Sequence, residues 1–327
     1  MSDLQAPFPW FGGKSRAASL IWSRIGDVPN FVEPFAGSLA VLLGRPSEPR
    51  IETVNDLDGY VANFWRALQS VPDEVAEYAD QPVNECDLHA RHLWLVGRKD
   101  KFAEQLMADP DFFDAKVAGW WVWGICCWIA GGWCSGRGPW VAVDGVFTKS
   151  KAGVGVKRQL PHLGNAGMGV HRTTQLLVEW MRALADRLRR VRVCCGDWSR
   201  ICGPSPTTAL GITGVVLDPP YADTKRCGEV YRVDSLSVAH DVREWAIAHG
   251  DDPKMRIALC GYEGEHNMPE SWECVPWKAR GGYGSQSKSG NENAARERIW
   301  FSPHCLTVRD ELKSARVEGL RIVEVDE

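Results

Sequence analysis

Gly214-Val-Val-Leu217 is an uninterrupted apolar run that ends in Asp218-Pro219-Pro220-Tyr221. Without polar alternation, such a run reads as a strand buried on both faces, at home in a sheet covered by helices. The two prolines end it abruptly. Both lack a backbone N–H, and Pro220 holds Pro219 extended, so neither a ladder nor a helix continues. The chain thus leaves the sheet at its carboxyl edge, where ligands bind in open α/β folds, and it carries a carboxylate, carbonyl oxygens without internal partners and an aromatic ring.

The start of the chain has the same grammar. Phe31-Val-Glu-Pro-Phe35 is a short strand running into the turn Ala36-Gly37-Ser38, and Leu39 to Leu43 looks like the start of a helix. Ile51 to Asn55 is a second strand, followed by a helix from Asp58, its N-cap, to Leu68. Strand, turn, helix, strand, helix opens a doubly wound sheet. From Pro72 to Arg190 strand signals fade. Helical patterns at Asp87 to Val96, Lys101 to Met107 and Phe112 to Trp128 give way to a glycine-rich stretch, Gly131 to Gly169, without clear periodicity.

The sheet resumes at Val191 to Cys195 and Gly214 to Leu217, with a helix at Ser235 to His249 stopped by Gly250, and a strand at Arg256 to Leu259. Trp272 to Trp277 and Arg298 to Phe301 are two further strands around a glycine, serine and asparagine stretch. The expected fold is α/β, a Rossmann-like doubly wound sheet built from residues 1–71 and 191–305, with a largely helical insertion at 72–190 and a peripheral segment at 306–327.

Composition narrows the function classes. In 327 residues, 38 Lys and Arg face 42 Asp and Glu, and 44% of residues are hydrophobic, the balance of a soluble globular protein. A net charge of −4 argues against coating nucleic acid by bulk charge, while leaving room for a local basic face. Eleven cysteines behind an N-terminus with no basic and apolar leader point to a reducing, cytoplasmic setting. Cys86, His89 and His92, with Cys126, Cys127 or Cys134, are the nearest approach to a metal pattern; their spacing matches no usual zinc site, and no metal is expected. Residues 117–136 carry no charge over a length that spans a bilayer, but their glycines and the lack of basic flanks favour a buried helix, so no membrane partner is expected.

The acceptor-only platform at Asp218 to Tyr221 suits an amino group on a flat ring. Such an amine is a poor nucleophile because its lone pair is delocalised. Accepting both of its N–H bonds draws the nitrogen towards tetrahedral geometry and frees the lone pair, while Tyr221 stacks on the ring. A base inside a duplex cannot reach such a pocket without flipping out. The same four residues also read as an exposed proline turn. Two other segments bear on that choice. The Gly37 turn lets backbone approach a nucleoside-bearing cofactor, and Asp56 at the end of its strand can accept from ribose hydroxyls, although each also reads as a plain turn and a helix cap. Trp10, the pair Gly12 and Gly13, and Lys14 add an aromatic, a close approach and a cation that can pair with a carboxylate, or else form an exposed arm.

Taken in order, PFPWFGGKSR, FVEPFAGSLAV, VNDLDGYVANFWRAL, CGDW and LDPPY resemble the Dam-type DNA adenine methyltransferases, and the position of the insertion resembles the alpha group of amino methyltransferases. The resemblance implies S-adenosylmethionine as cofactor and the N6 amine of adenine in double-stranded DNA as target, by base flipping and direct transfer. Position by position, it implies cofactor contacts from Trp10, Gly13, Lys14, Asp56 and Asp218. The turn Glu33 to Gly37, with Glu33, Phe35 and Gly37, would pack around the methionine part, and Asp197 and Trp198 would lie near the adenine. Asp218, Pro219, Pro220 and Tyr221 would hold the base.

Two departures stand out. Leu39 replaces a small residue and is expected to narrow the cofactor pocket. Trp128 to Trp140 replaces an Asn-Arg…Phe-Asn-Gly-Leu-type segment, which leaves the target sequence open. Cytosine N4 methylation, RNA adenine methylation and a non-catalytic DNA-binding protein stay open as alternatives, as does a partner restriction nuclease. A monomer or weak dimer is expected.

Between Arg137 and Arg192 there are eleven Lys and Arg against three acids, so the remainder of the chain is strongly acidic. That asymmetry fits a duplex-facing insertion on an acidic enzyme. Lys149, Lys151, Lys157 and Arg158 are the candidates for phosphate contacts, and Trp133 and Trp140, beside Arg137, for stacking on or wedging between bases. Arg182 to Arg190 also reads as a solvated helix face. A second basic surface is expected around Lys278, Arg280, Lys288, Arg296 and Arg298.

Overall fold

Two of the apolar runs lie side by side at the centre of the sheet. Strand β1 (Asn30–Glu33) pairs in parallel with the run after Gly211, a strand spanning Thr213–Leu217, and every residue of both is buried. The computed structural model describes residues 4–10, 12–109, 111–128, 133–134, 140–143, 146–149, 174–221, 237–277 and 295–307. In chain order the remaining strands are β2 (Ile51–Asp56), β3 (Trp140–Val143), β4 (Val146–Lys149), β5 (Arg192–Cys195), then Thr213–Leu217 as β6, β7 (Met255–Tyr262), β8 (Glu273–Pro276) and β9 (Glu297–Phe301).

The main sheet has the order β5-β2-β1-β6-β7-β9-β8. Its first five strands are parallel, and β9 and β8 add an antiparallel margin. From β1 the chain winds outward one way to β2 and β5; from β6 it winds the other way to β7. The order reverses between β1 and β6, so the loops leaving those two strands part and open a crevice at their carboxyl ends.

Helix α1 (Ala18–Ile25) precedes β1, and α2 is a single turn, Ala40–Leu43, after Leu39. Leu39 itself is left-handed, with φ 54° and ψ 28°, and is fully buried. Its backbone conformation explains why glycine suits this position, and a leucine there is costly in conformation but secured by core burial. The expectation that Leu39 narrows the pocket is corrected: its side chain points into the core and does not line the cavity described below.

Helix α3 (Gly59–Ser70) starts where its cap requires, with the Asp58 carboxylate accepting from the Tyr60 amide at 2.8 Å. Its buried face, Tyr60, Val61, Phe64, Trp65 and Leu68, continues into the helical layer formed by α4 (Pro72–Ala79), α5 (Glu85–Val96), α6 (Lys99–Ala108), α7 (Ala115–Cys127) and α8 (Thr174–Leu188). Asn63 and Asp114 exchange two hydrogen bonds of 2.9 Å that dock the start of α7 on α3. Gly119 of α7 lies against Tyr78 and Val75 of α4 with no room for a Cβ.

One apolar core runs from Ile21 and Phe31 through Trp65 to Trp121 and Met181, so the expected boundaries at residues 71 and 190 fall inside shared packing. Among the described residues no helix is long and apolar enough to cross a membrane.

Strand signals are read as fading between Pro72 and Arg190, and the structure adds the hairpin β3–β4 there, paired antiparallel with Trp140 opposite Lys149. The signal was in the sequence: Asp144-Gly145 between alternating apolar residues is a strong short-range hairpin cue. Helix α9 (Val238–His249) covers the face of β6 and β7. The peripheral segment expected after Leu306 falls, apart from Leu306 and Thr307, outside the described residues.

Candidate active site

A cavity of about 330 Å³ opens at the carboxyl ends of the parallel strands. Its walls are the turn after β1 (Pro34, Phe35, Gly37), the segment after β2 (Asn55 to Asp58), the turn after β5 (Gly196 to Trp198), Asp218 and Pro220 after β6, the start of α9 (Ser237, Val238, Asp241), and Trp10. Five of these are aspartates, and no Lys or Arg lines the cavity among the described residues. The volume falls in the usual range for a small-molecule site, roughly 300–1,000 Å³.

Each wall is fixed locally. Both carboxylate oxygens of Asp56 accept backbone amides, Gly37 at 3.0 Å and Asp58 at 2.8 Å, which ties the glycine turn of β1 to the end of β2. Asn55, fully buried, donates to Pro34 O at 3.1 Å and Gly196 O at 2.9 Å and so links three strand ends. Gly37 has φ 44°, and the Trp10 indole packs on it so closely that no Cβ fits. Asp197 caps the short turn Trp198–Ile201 through the Ser199 amide at 2.9 Å, and Trp198 stacks on Phe35 with centroids 6.2 Å apart.

Beneath Asp218 lies a buried cluster of charges. Lys14 is 4% exposed, pairs with Asp218 at 2.8 Å and donates to Gly12 O at 2.8 Å. Burial works against its charged form, but Asp218, with Glu297 and Cys260 behind it, outweighs that and raises the pKa. Glu33 is buried, and its carboxyl accepts the Leu42 amide at 3.3 Å. Burial pushes its pKa up to about 8, with Asp218 and Glu52 adding to the rise and the Leu42 bond and Lys14 opposing it. Glu33 is therefore held largely protonated at neutral pH. Glu297 is raised by burial too, against the pull of Lys14. Tyr221 donates its hydroxyl to Glu297 Oε2 at 2.9 Å and meets Tyr262 edge-on at 4.6 Å.

Of the residues expected at a cofactor, Trp10, Phe35, Gly37, Asp56, Asp197, Trp198 and Asp218 line the cavity. Gly13, Lys14 and Glu33 do not; they support its wall from behind. Of the expected base platform, Asp218 and Pro220 reach the lining, while Pro219 and Tyr221 do not, and Tyr221 is 8% exposed.

Sequence reasoning gave no pointer to Asn55, Leu57, Gly196, the Asp58 contribution, or any of Ser237, Val238 and Asp241. Most adjoin the quoted motifs. The three from α9 carry no local signal, because only the chain's return to β6 brings them there. Glu297 was missed for the same reason.

The expected nucleic-acid residues fare unevenly. Trp133 is corrected: it is buried, donates its indole N–H to Trp121 O at 3.0 Å, packs beside Trp128 and His92, and occupies the space over Gly124. A ring so enclosed is a core residue and is not presented to a base. Trp140 and Lys149 are cross-strand neighbours at the open end of the β3–β4 hairpin. Arg137, Lys151, Lys157 and Arg158 lie outside the described residues, as do Lys278, Arg280 and Lys288. Part of the basic excess is used within the fold: Arg187 of α8 pairs with buried Glu52 of β2 at 2.7 Å, and Arg182 pairs bidentately with Asp73 at 2.7 Å. Among the described residues no group of three potential metal ligands assembles; His92 instead stacks on Trp128, with centroids 4.7 Å apart.

An open parallel sheet with an antiparallel margin, an acidic cleft at its switch point and Asp-Pro-Pro-Tyr leaving the strand beside it define an α/β fold consistent with that of a methyltransferase. Residues 10–104 match the family model of the D12 class N6 adenine-specific DNA methyltransferases, so this stretch of the chain is similar to that enzyme family. The match covers Trp10 through β2 and α3, whereas Asp197, Asp218 and Tyr221 lie beyond it. No curated protein matches the chain.

Proposed function

We propose that this chain transfers a methyl group from S-adenosylmethionine to the N6 amine of adenine, on a base turned out of double-stranded DNA. The observation that carries the reading is the charge of the cleft. Among the described residues five aspartates line it without a Lys or Arg, and the Asp-Pro-Pro-Tyr carboxylate is pinned by a buried lysine. A dinucleotide or a nucleoside triphosphate would bring phosphates into that field and be repelled. S-adenosylmethionine suits it, since sulfonium and ammonium outnumber its one carboxylate.

The residues present fit that group. Asp56 stands at the cleft wall where a carboxylate can accept from ribose hydroxyls, Phe35 and Trp198 offer aromatic walls, and Gly37 with Trp10 gives close approach. The cofactor supplies an electrophilic methyl carbon. The protein's part is to hold the nucleophile. Asp218 and the Pro219 carbonyl accept the two N–H bonds of the amine and pull its nitrogen out of conjugation, and Lys14 keeps the Asp218 carboxylate from swinging away. Tyr221 closes the platform on its inner side, and Pro220 makes its backbone stiff. The basic part of the insertion and the hairpin β3–β4 are assigned to the duplex.

The test is to supply protein, labelled S-adenosylmethionine and duplex DNA of varied sequence, then digest and separate the nucleosides. Labelled N6-methyladenine supports the reading. N4-methylcytosine replaces the target, and no labelled nucleoside on any DNA removes the reading.

A further inference from the structure

We propose that Glu297, on the antiparallel margin of the sheet, is the positioning residue for Tyr221. The proposal rests on the methyl-transfer reading and extends that site to a strand 76 residues further along the chain. Glu297 opens β9 and is paired in register with Tyr262 of β7. Its side chain is 5% exposed, and a carboxyl so enclosed persists only with partners. One is the Tyr221 hydroxyl at 2.9 Å; another is the field of Lys14, whose ammonium lies 5.3 Å from the centre of the Tyr221 ring.

Tyr221 needs such a partner. The two prolines stiffen the backbone only as far as Pro220, and beyond it the tyrosine ring has two free torsions. The hydroxyl bond to Glu297 at the far end of the ring and the edge contact with Tyr262 remove both freedoms. The main chain of Glu297 is held as well, its carbonyl accepting the Trp277 amide at 3.2 Å, so the acceptor is anchored to β8 and cannot follow a moving tyrosine. Glu297 thus sets the inner wall against which the Asp218–Pro219 platform is aligned, without touching the reacting atoms.

A merely structural carboxylate, one that only holds β9 in the sheet, predicts something different. Tyr221→Phe breaks the same bond from the other side and leaves β9 alone. The experiment compares wild type, Glu297→Ala, Tyr221→Phe, the double variant and Glu297→Gln in methyl transfer to duplex DNA, with thermal unfolding in parallel. Both single variants are expected to lose about tenfold in kcat with KM for S-adenosylmethionine unchanged, since misplaced reacting groups cost rate before affinity. The double variant should fall no further than the worse single one, and Glu297→Gln, which keeps an acceptor oxygen, should recover most of the loss.

Additive losses, an unaffected Tyr221→Phe, or a Glu297→Ala defect that follows its loss of folded protein overturns the positioning role while leaving the reading of function intact. A wild-type protein that methylates no DNA overturns that reading and the role together.

Discussion

The cleft and the helical layer are built from the same unusual materials, tryptophans beside cations and buried ionisable groups, and put them to opposite use. In the helical layer the buried groups are packed against one another. Arg91 lies over Trp123 at 4.2 Å and Trp120 at 5.1 Å, His92 stacks on Trp128, and Trp133 spends its donor on a backbone carbonyl. In the cleft the pairing is lopsided: one buried lysine faces Asp218, Glu33 and Glu297, and four further aspartates line the opening. The layer is neutralised internally. Among the described residues the cleft keeps an excess of acceptors, and an excess of one sign calls for a ligand of the other.

The largest effect that would separate the two regions is chemical. Asp218→Ala should reduce methyl transfer by about 10² to 10³-fold, the scale of removing one preorganised electrostatic group, with far-ultraviolet circular dichroism unchanged. A variant that methylates normally would end the contrast. The opposite effect is expected where the layer meets the sheet. Glu52 is 1% exposed between Arg45 and Arg187, and Glu52→Ala should cost about 3–5 kcal/mol by removing the carboxylate that Arg187 pairs with and that Arg45 shares with Asp27, read by urea unfolding, while the folded fraction transfers methyl groups normally.

Smaller and paired are the glycine variants. Gly124→Ala collides with Trp133 and should cost about 1–3 kcal/mol of stability. Gly37→Ala collides with the Trp10 indole at a left-handed turn, and should weaken cofactor binding, measured by calorimetry, by more than it lowers the unfolding midpoint. Equal stability losses with unchanged affinity would erase the distinction.

The most subtle contrast is in pH. Glu33 has its pKa raised from 4.5 to about 8, so the native state holds a proton the unfolded chain releases; its contribution is complete below 4.5 and is lost as pH rises through 8. His92 is depressed by burial from 6.5 to about 4, so its contribution is complete above 6.5 and is lost as pH falls through 4. Glu33→Gln should therefore flatten the alkaline limb of a stability–pH curve and His92→Phe the acid limb. Unfolding midpoints at pH 4, 6.5 and 8.5 check both, and unaltered limbs would show that other groups set the curve.

Much of this was legible in the sequence, for local reasons. Buried strands announce themselves as apolar runs, Asp58 caps its own helix, and the prolines after Leu217 end a strand whatever surrounds them. Asp56, Asp197 and Asp218 could be named because each ends a strand, and in a parallel sheet all strand ends share one edge. The hairpin at Asp144-Gly145 was equally local and was overlooked. What was not legible depends on distance along the chain. Trp133 and Trp198 are the same residue type beside glycine-rich turns; one fills the hole over Gly124, and the other stacks at the cleft mouth. Arg187 counted as surface charge until α8 was laid against β2.

By itself, then, the sequence determined the elements, the edge at which the site lies and the family model that its first third matches, because periodicity, capping and proline geometry act over a few residues. Only the tertiary structure decided which groups pair. Lys14 meets Asp218 across 204 positions and Tyr221 meets Glu297 across 76, because strand order in the sheet, and not spacing in the chain, brings those residues together. Burial then sets whether each carboxyl is paired, protonated or left free to hold a ligand.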